Sequence, residues 1–430
     1  MKHAFLFSLI LLMVVSPSLF AGGQKEGSTK AEPVTLEFLN EGTPGDVESG
    51  LYAEFSASHP NIKLEVIPFP GEATDYETKI LTSMAAGDAP DIFTTHDNTT
   101  YRYAVDKLIL PVPDDLADYI RKEAPPAIKD GMLYPLTVEG EIYAAPWNAD
   151  WVCLFWNKDM FAEAGLPGAP KTIDENTEYA IKLTKRDSSG TITRSGLSLR
   201  LTGHPAGIVD KFISHFTAFG GEMVSEDLRR PLFNDTPGKA AAQWYLDLLY
   251  KYKVDAVDIP HDAGAFFNNQ TAMFGRGPWV VARYKETTPQ MVYGTNYEIA
   301  VCPSGRAQAR SIGFIDAIAV SKGAKHPNEA WDFVKWMVMD GERYARYQIA
   351  VGSVPLLMPV VKDPYYEGEG RFMKVFMNQP LWREPNQKHF YELKTKFGGY
   401  LERIFYQKMG LDEAFAKADA EAKEILARTY

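Results

Sequence analysis

Residues 138–170, VEGEIYAAPWNADWVCLFWNKDMFAEAGLPGAP, contain two strand patterns and a helix pattern in direct succession. Residues 142–145 predict a short strand, which Pro146 breaks. Residues 152–156 form an unbroken apolar run, which predicts a strand buried on both faces. A short helix is predicted over residues 159–164, because glycine and proline follow it. The stretch therefore predicts a buried strand joined to a helix by a tight turn.

The segment Trp147-Asn148-Ala149-Asp150-Trp151 lies between the two predicted strands. Flat indole rings cover the C–H face of a sugar, and amide and carboxylate oxygens accept hydrogen bonds from its hydroxyls. This composition is typical of a site for a neutral polyol. Tryptophan is also usually well buried, so two Trp beside a buried strand fit a plain core as well. From this segment alone both interpretations stand.

The composition sets the protein class. The chain has 430 residues, 45% of them hydrophobic, which is enough for two or three domains with packed cores. The net charge is −11, and Lys and Arg are scattered rather than clustered. An acidic body repels phosphate backbones, so we expect no nucleic-acid partner.

The amino terminus has the pattern of a secretory signal. Lys2 and His3 precede an apolar run over residues 4–15, and cleavage near Ala21 gives a signal peptide over residues 1–21 and a flexible tether over residues 22–32. The apolar run is too short to anchor the chain in a bilayer. No cysteine lies near the cleavage site to carry a lipid, so we expect a periplasmic protein.

The two cysteines of the chain, Cys153 and Cys302, both lie in strand-like runs. Outside the cytoplasm such a pair can form a disulfide, but a buried free cysteine also behaves as a small apolar residue. Sequence spacing does not decide between the two.

Strand and helix patterns alternate over residues 34–94, which predicts parallel strands with right-handed crossovers. In such sheets ligands bind beyond the carboxyl ends of the strands. Polar residues follow all three predicted strand ends: Asn40-Glu41, Pro70-Gly71-Glu72 and His96-Asp97-Asn98. None of these loops is a glycine-rich phosphate loop. Further strands are predicted at residues 196–201, 272–274, 297–301 and 317–320.

Motifs for catalysis or cofactors are missing. The chain has no G-x-S-x-G, H-E-x-x-H, Walker loop or paired C-x-x-C, and its eight histidines are dispersed. We therefore expect no enzyme activity, no metal and no cofactor. An exported glycoside hydrolase is the remote alternative, because nothing in the sequence fixes a catalytic carboxylate pair.

Several segments, taken in order, resemble the extracellular solute-binding proteins of ABC sugar importers, the group that includes maltose-binding protein. Their matching segments are AAGDAPDIF at residues 85–93, YAAP at 143–146 with LFWNKDMF at 154–161 and AGLP at 164–167, AMF at 272–274 with GPW at 277–279, and AVSK at 319–322 with NEAW at 328–331. The four groups span nearly the whole mature chain.

The resemblance implies a type II periplasmic-binding fold, in which two α/β lobes close on a ligand. It implies an N-terminal lobe of residues 33–149 plus 303–355 and a C-terminal lobe of residues 150–302 plus 356–430. Strands crossing between the lobes are expected near residues 150–154, 301–303 and 352–355. Both cysteines would then lie in the hinge.

The resemblance also implies ligand contacts in the cleft. Where the family often has Gly-Gly-Trp, this chain has Phe314-Ile315-Asp316, so a carboxylate replaces a stacking ring. Together with the tryptophan segment, the expected binding residues are Asn40, Glu41, Asp97, Asn98, Trp147, Asn148, Asp150, Trp151, His204, Trp279, Arg283, Asp316 and Ser353.

The implied function is capture of a mono- or oligosaccharide by a monomer that delivers it to ABC permease subunits in the membrane. A polyamine or another non-sugar solute is the alternative, because acidic groups flanked by aromatic rings also suit cations. Arg200 and Arg283 would suit an added acidic substituent on the ligand, although a surface arginine is the commoner case.

Overall fold

The computed structural model describes residues 33–70, 73–126 and 128–428. The predicted signal peptide (1–21) and tether (22–32) lie outside the described residues. The strands are β1 (Val34–Glu41), β2 (Ile62–Phe69), β3 (Ile92–His96), β4 (Thr137–Val138), β5 (Glu141–Ile142), β6 (Ala145–Trp151), β7 (Cys153–Asn157), β8 (Lys185–Arg186), β9 (Ile192–Arg194), β10 (Met273–Arg276), β11 (Tyr297–Ala300), β12 (Ser311–Val320) and β13 (Leu381–Trp382).

The helices alternate with these strands, and in the described residues none is both long and apolar enough to cross a bilayer. They are α1 (Asp46–Ser58), α2 (Ala73–Ala86), α3 (Asp97–Val105), α4 (Asp114–Glu123), α5 (Lys129–Leu133), α6 (Lys158–Glu163), α7 (Ile173–Leu183), α8 (Pro205–Ala218), α9 (Thr236–Leu246), α10 (Asp262–Phe267), α11 (Trp279–Lys285), α12 (Pro327–Val338), α13 (Gly341–Val351), α14 (Met358–Val361), α15 (Met373–Met377), α16 (Phe390–Phe405) and α17 (Leu411–Ala427).

The first sheet has the strand order β13-β12-β3-β1-β2. Strand β1 pairs in parallel with both β2 and β3, as the alternating pattern predicts. Strand β12 joins antiparallel to β3, and β6 pairs with β12. Strands β1 and β3 of the βαβαβ series therefore lie in one sheet with the later strands β12 and β6.

Strand β6 does not break at Pro146 as predicted. It runs from Ala145 to Trp151 and pairs Pro146 with Ala317 of β12. The register shifts between Asp316 and Ala317, next to that pair. An irregular register tolerates proline, because a ladder hydrogen bond is already missing there.

The chain passes from the first sheet to a second one within a single residue. Val152 separates β6 from β7, and β7 is the middle strand of the antiparallel sheet β10-β7-β11. Cys153 and Phe155 pack on one face of β7, while Val152 and Leu154 join a second apolar cluster. The predicted burial on both faces is confirmed, apart from the partly exposed Trp156.

Two further connections run between the sheets. Residues 301–310 link β11 to β12. Beyond α13, the backbone N–H of Val354 donates to Ala149 of β6, and later Phe376 packs against Phe155 of β7 with ring centroids 6.2 Å apart. The molecule is thus a two-lobe α/β protein built around these two sheets.

The predicted strand at residues 196–201 is wrong. Only isolated bridges form there, between Ser195 and Thr271 and between Ser198 and Phe274. The buried carboxylate of Asp255 accepts the backbone N–H of Leu199 at 2.8 Å and so replaces a ladder bond. Helix α12 begins at Pro327 as predicted.

Candidate ligand-binding site

The first candidate site lies at the carboxyl ends of β1 and β3, where the sequence places polar loops. The backbone N–H of Glu41 donates to Thr94 Oγ1 at 2.9 Å, which ties these two ends together. Strand β12 places Asp316 opposite His96 on one side and opposite Asn148 of β6 on the other. A cavity of about 530 Å³ results, here called the acidic pocket. It is lined by Asn40, Glu41, Thr43, Glu48, Thr94, Thr95, His96, Trp147, Asn148, Asp316, Tyr347 and Val351.

His96 is held between two carboxylates of the acidic pocket. Its Nδ1 lies 2.7 Å from Asp316 Oδ1, and its Nε2 lies 2.9 Å from Glu41 Oε2. Burial alone would lower the pKa of His96, but Asp316 and Glu41 outweigh it and raise that pKa well above the usual 6.5. The imidazolium therefore offsets part of the negative charge. The sequence places His96 among the polar residues at the predicted strand ends, but His96 was not among the expected binding residues.

Asp97 does not join the acidic pocket. It begins α3, is 4% exposed, and lines a separate small cavity with Trp382, Arg383 and Glu384. Its charge acts instead on Lys394, whose ammonium is buried between Glu384 and Asp210. The backbone turns at the start of α3, which directs consecutive side chains apart. Asn98 lies in the same helix, and its side chain is outside the described part of the structure.

The tryptophans of β6 are buried. Trp147 is 1% exposed and packs against Phe38 and Tyr347, and it also lines the acidic pocket. Trp151 is 0% exposed, and its Nε1 donates to the carbonyl of Phe376 at 2.6 Å. The expected ligand contact by Trp151 is therefore wrong.

Ser353 is also a structural residue rather than a ligand contact. It is 2% exposed. Its Oγ accepts the backbone N–H of Ala149 at 2.8 Å and donates to the carbonyl of Val354 at 2.9 Å. Both hydrogen-bonding roles of the hydroxyl are filled by the backbone of β6 and of its own loop.

A second cavity, of about 950 Å³ including its open mouth, lies in the other lobe. Apolar side chains line it together with Arg200, Lys211 and Arg276, so we call it the basic pocket. Arg276 ends β10 and forms an ion pair with Asp262. The Lys211 ammonium lies over the Phe314 ring, 5.1 Å from its centre.

Asp150 lies next to the basic pocket. Burial raises the pKa of Asp150 to about 6, against an opposing effect of Lys211 and with a further rise from Asp316. A Cβ on Gly277 would lie 2.6 Å from Asp150 Oδ2, so the carboxylate occupies the space that any other side chain would need. The glycine of the GPW segment thus makes room for an acid in the cleft.

The remaining predicted site residues line neither pocket. His204 precedes α8, and its Nε2 lies 3.2 Å from the hydroxyl of Tyr391. Trp279 begins α11 and keeps part of its surface exposed, with the guanidinium of Arg283 5.5 Å from its ring centre. Ligand contact by these three residues stays a prediction.

The cysteines are close but unbridged. Cys153 and Cys302 are both free and buried. Gln379 joins them, because its Oε1 accepts the backbone N–H of Cys302 at 2.7 Å and lies 4.0 Å from Cys153 Sγ. Burial raises the pKa of Cys302 to about 12, so this thiol is protonated at neutral pH.

A family model described as bacterial extracellular solute-binding protein matches residues 41–342. The chain belongs to this family. It is 22% identical over 324 residues to a maltotriose-binding protein of Pyrococcus abyssi, an alignment that covers 74% of this chain and 65% of the relative. It is 24% identical over 342 residues to the diacetylchitobiose binding protein DasA of Streptomyces coelicolor, covering 76% of both chains.

Solved structures show the same fold. Maltose-bound MalE3 of T. maritima superimposes with a TM-score of 0.78 at 22% identity, covering 91% of this chain and 100% of the other. An ABC transporter solute binding protein from Thermotoga lettingae bound to α-D-tagatose gives a TM-score of 0.77 at 21% identity, with the same coverage. The type II periplasmic-binding fold expected from the sequence is confirmed.

Proposed function

We propose that this protein is the periplasmic substrate-binding component of an ABC importer and that it captures a carbohydrate between its two lobes. The N-terminal lobe comprises residues 33–149 plus 303–355, and the C-terminal lobe residues 150–302 plus 356–430. The chain is exported, cleaved near Ala21, and delivers the sugar to membrane permease subunits. Several relatives carry names that specify sugars, among them maltotriose, diacetylchitobiose, and melibiose with raffinose and stachyose.

One observation carries the proposal: a single β-ladder connects the acidic and basic pockets. Asn148 pairs with Asp316 in the acidic pocket, and Asp150 pairs with Phe314 two residues further on, beside Lys211. Two residues of a strand span about 7 Å, roughly the length of one sugar ring. Hydrogen-bond donors and acceptors therefore line a continuous track at the crossing between the lobes.

This track suits a polyhydroxylated ligand. Each sugar hydroxyl both donates and accepts, so carboxylates of one pocket and cations of the other are usable partners. Hydrogen bonds to charged groups contribute about 1.5–3 kcal/mol each once the site closes and excludes water. A ligand that contacts both lobes favours the closed form, and that difference in affinity is the signal for the permease.

The basic pocket disfavours a polyamine. A cation long enough to follow the ladder from Asp316 would approach the ammonium of Lys211 and the guanidinium of Arg276. The repulsion between these charges opposes binding in a poorly hydrated cleft. The acidic pocket alone would accept an ammonium group, but His96 already lies between two of its carboxylates.

A ligand screen tests the proposed function. The purified protein is heated with mono- and oligosaccharides, sugar acids and spermidine. A ligand that binds the folded state, at 100 times its dissociation constant, adds about 2.7 kcal/mol to the free energy of unfolding. We expect a sugar to raise the melting temperature and to be recovered chemically unchanged. A response to spermidine alone would overturn the carbohydrate proposal, and cleaved sugar would show an enzyme.

A variant of the acidic pocket tests whether the sugar binds there. Asp316→Asn removes the negative charge that holds His96 and that would accept hydrogen bonds from sugar hydroxyls. The dissociation constant of the sugar should therefore rise about 10- to 100-fold. The matched control is Glu65→Gln, whose carboxylate is exposed and pairs with exposed Lys63. Calorimetric titration of both variants should change only the first.

A further inference from the structure

The lining of the basic pocket contains three cations, Arg200, Lys211 and Arg276. The adjacent carboxylates are Asp262, which pairs with Arg276, and Asp150. The nearby Asp210 already binds the buried ammonium of Lys394 at 3.1 Å. Asp262 and Asp210 therefore pair with Arg276 and Lys394, while Asp150 and Asp210 act on Lys211 at longer range.

Lys211 lies near the carboxylates of Asp150 and Asp210, and both favour its charged form. Within the described parts of the chain its ammonium forms no ion pair, and its contact is the face of Phe314 at 5.1 Å. Its neighbour Arg276 keeps a buried Nε without a hydrogen-bond partner in those same parts. Burial, and then the charge of Arg276, lower the pKa of Lys211 to about 8 despite the opposing effect of Asp150. A half-buried charge in this setting gains by meeting an anion.

We propose that the captured ligand bears an anionic group, the carboxylate of a uronic acid or a sulfate ester on a sugar ring, and that Lys211 binds this group in the basic pocket. The inference rests on the proposed function and names the ligand class for the same site. Arg200 and Arg276, which also line the pocket, add attraction for the anion. Charge-assisted hydrogen bonds from ammonium to such oxygens are roughly twice as strong as neutral ones.

The position of Lys211 determines where the charged substituent lies. Phe314, over which Lys211 lies, pairs with Asp150, and Asp316 lies two residues along β12 from Phe314. A sugar with its neutral hydroxyls at Glu41 and Asp316 would therefore place a substituent of its far end at Lys211. The anion is then kept about one ring length away from the carboxylates of the acidic pocket.

The test is calorimetric titration of the purified protein with matched disaccharides that differ only in charge. Suitable pairs are cellobiouronic acid with cellobiose, digalacturonic acid with galactobiose, and 3′-sulfolactose with lactose. We expect the charged member of at least one pair to bind about tenfold more tightly or better, as one charge-assisted hydrogen bond provides. The uronic acid and sulfate pairs distinguish the two kinds of anion.

Lys211→Met should weaken binding of the charged member about tenfold more than binding of the neutral member, because methionine is an unbranched side chain without the ammonium group. Lys211→Arg, which keeps the charge, should retain most of the preference for the charged member. The control Lys182→Met changes a lysine that is 50% exposed and should leave both affinities unchanged. Melting temperatures without sugar confirm that each variant is folded.

The titrations distinguish failure of the anion site from failure of the proposed function. Neutral members that bind as tightly as their charged partners, or a charge preference that survives Lys211→Met, would refute the anion site while leaving carbohydrate capture intact. Binding by none of the neutral or charged sugars would refute the proposed function itself.

Discussion

The two faces of β6 differ in burial, although their residues alternate along one short segment of the sequence. Trp147, Ala149 and Trp151 on one face are 0–3% exposed and belong to the apolar core. Asn148 and Asp150 on the other face are partly exposed at the acidic and basic pockets. Successive side chains of a strand point to opposite sides, so five consecutive residues serve two separate purposes.

The contrast between the two faces shows how a binding site is built next to a core. The buried tryptophans fix the position of the strand, and the alternate residues project into the cleft from a rigid support. A tryptophan beside a polar residue therefore does not imply that both touch the ligand. If this division is real, variants on the two faces should have opposite effects on stability and binding.

The largest effect is expected on the core face. Trp151→Ala should lower the free energy of unfolding by about 3–5 kcal/mol, since it leaves a large cavity and removes the hydrogen bond to Phe376. Urea denaturation measures this loss. The comparison variant Trp279→Ala removes a partly exposed indole and should cost clearly less. Equal losses in the two variants would mean that Trp151 is not the core residue described.

The cleft face should show the opposite sign. The pKa of Asp150 rises from its ordinary value of 3.8 to about 6 on folding, so its charged form is disfavoured in the folded state. Stability that is present below pH 3.8 is lost as the pH rises through about 6. Asp150→Asn should therefore raise the free energy of unfolding by about 1–3 kcal/mol at pH 8.

The same variant should have little effect on stability near pH 4, where the carboxyl is largely neutral in the folded protein. Urea denaturation at pH 4 and pH 8 checks both values. The sugar affinity of Asp150→Asn should fall, because a carboxylate of the track is lost. A variant that is destabilised at pH 8 would show that Asp150 supports the fold rather than the site.

A smaller effect on stability is expected at Ser353, whose hydroxyl accepts a hydrogen bond from the backbone of β6 at Ala149. Ser353→Ala leaves the buried N–H of Ala149 without its acceptor and should lower the free energy of unfolding by about 1–2 kcal/mol. Its sugar affinity should stay within about twofold of the original protein. A loss of affinity without a loss of stability would restore Ser353 as a ligand contact.

Local patterns were enough to predict much of the fold. The parallel core of β1, β2 and β3 follows from period-two apolar residues and intervening amphipathic helices, and the buried β7 follows from its continuous apolar run. Pro146 was misleading because the tolerance for proline depends on a register shift in a partner strand about 170 residues away in sequence.

The candidate site was only partly predictable for the same reason. Glu41 and Asp316 were expected, but His96 joins them only because β12 pairs with β3 across 220 residues. Asp97, one position later, starts a helix and points elsewhere. Lys211 lies on α8, and no local pattern signals that it meets Phe314 at the cleft.

A crystal structure of the protein with its tightest-binding sugar would locate the binding site. We expect sugar hydroxyls within about 2.6–3.2 Å of Asp316 or Glu41 and of Asn148, with the ring extending along the β6–β12 ladder towards Lys211. Trp151 should remain buried in the complex. A sugar bound away from this ladder, with Asn148 and Asp150 still facing solvent, would contradict the account.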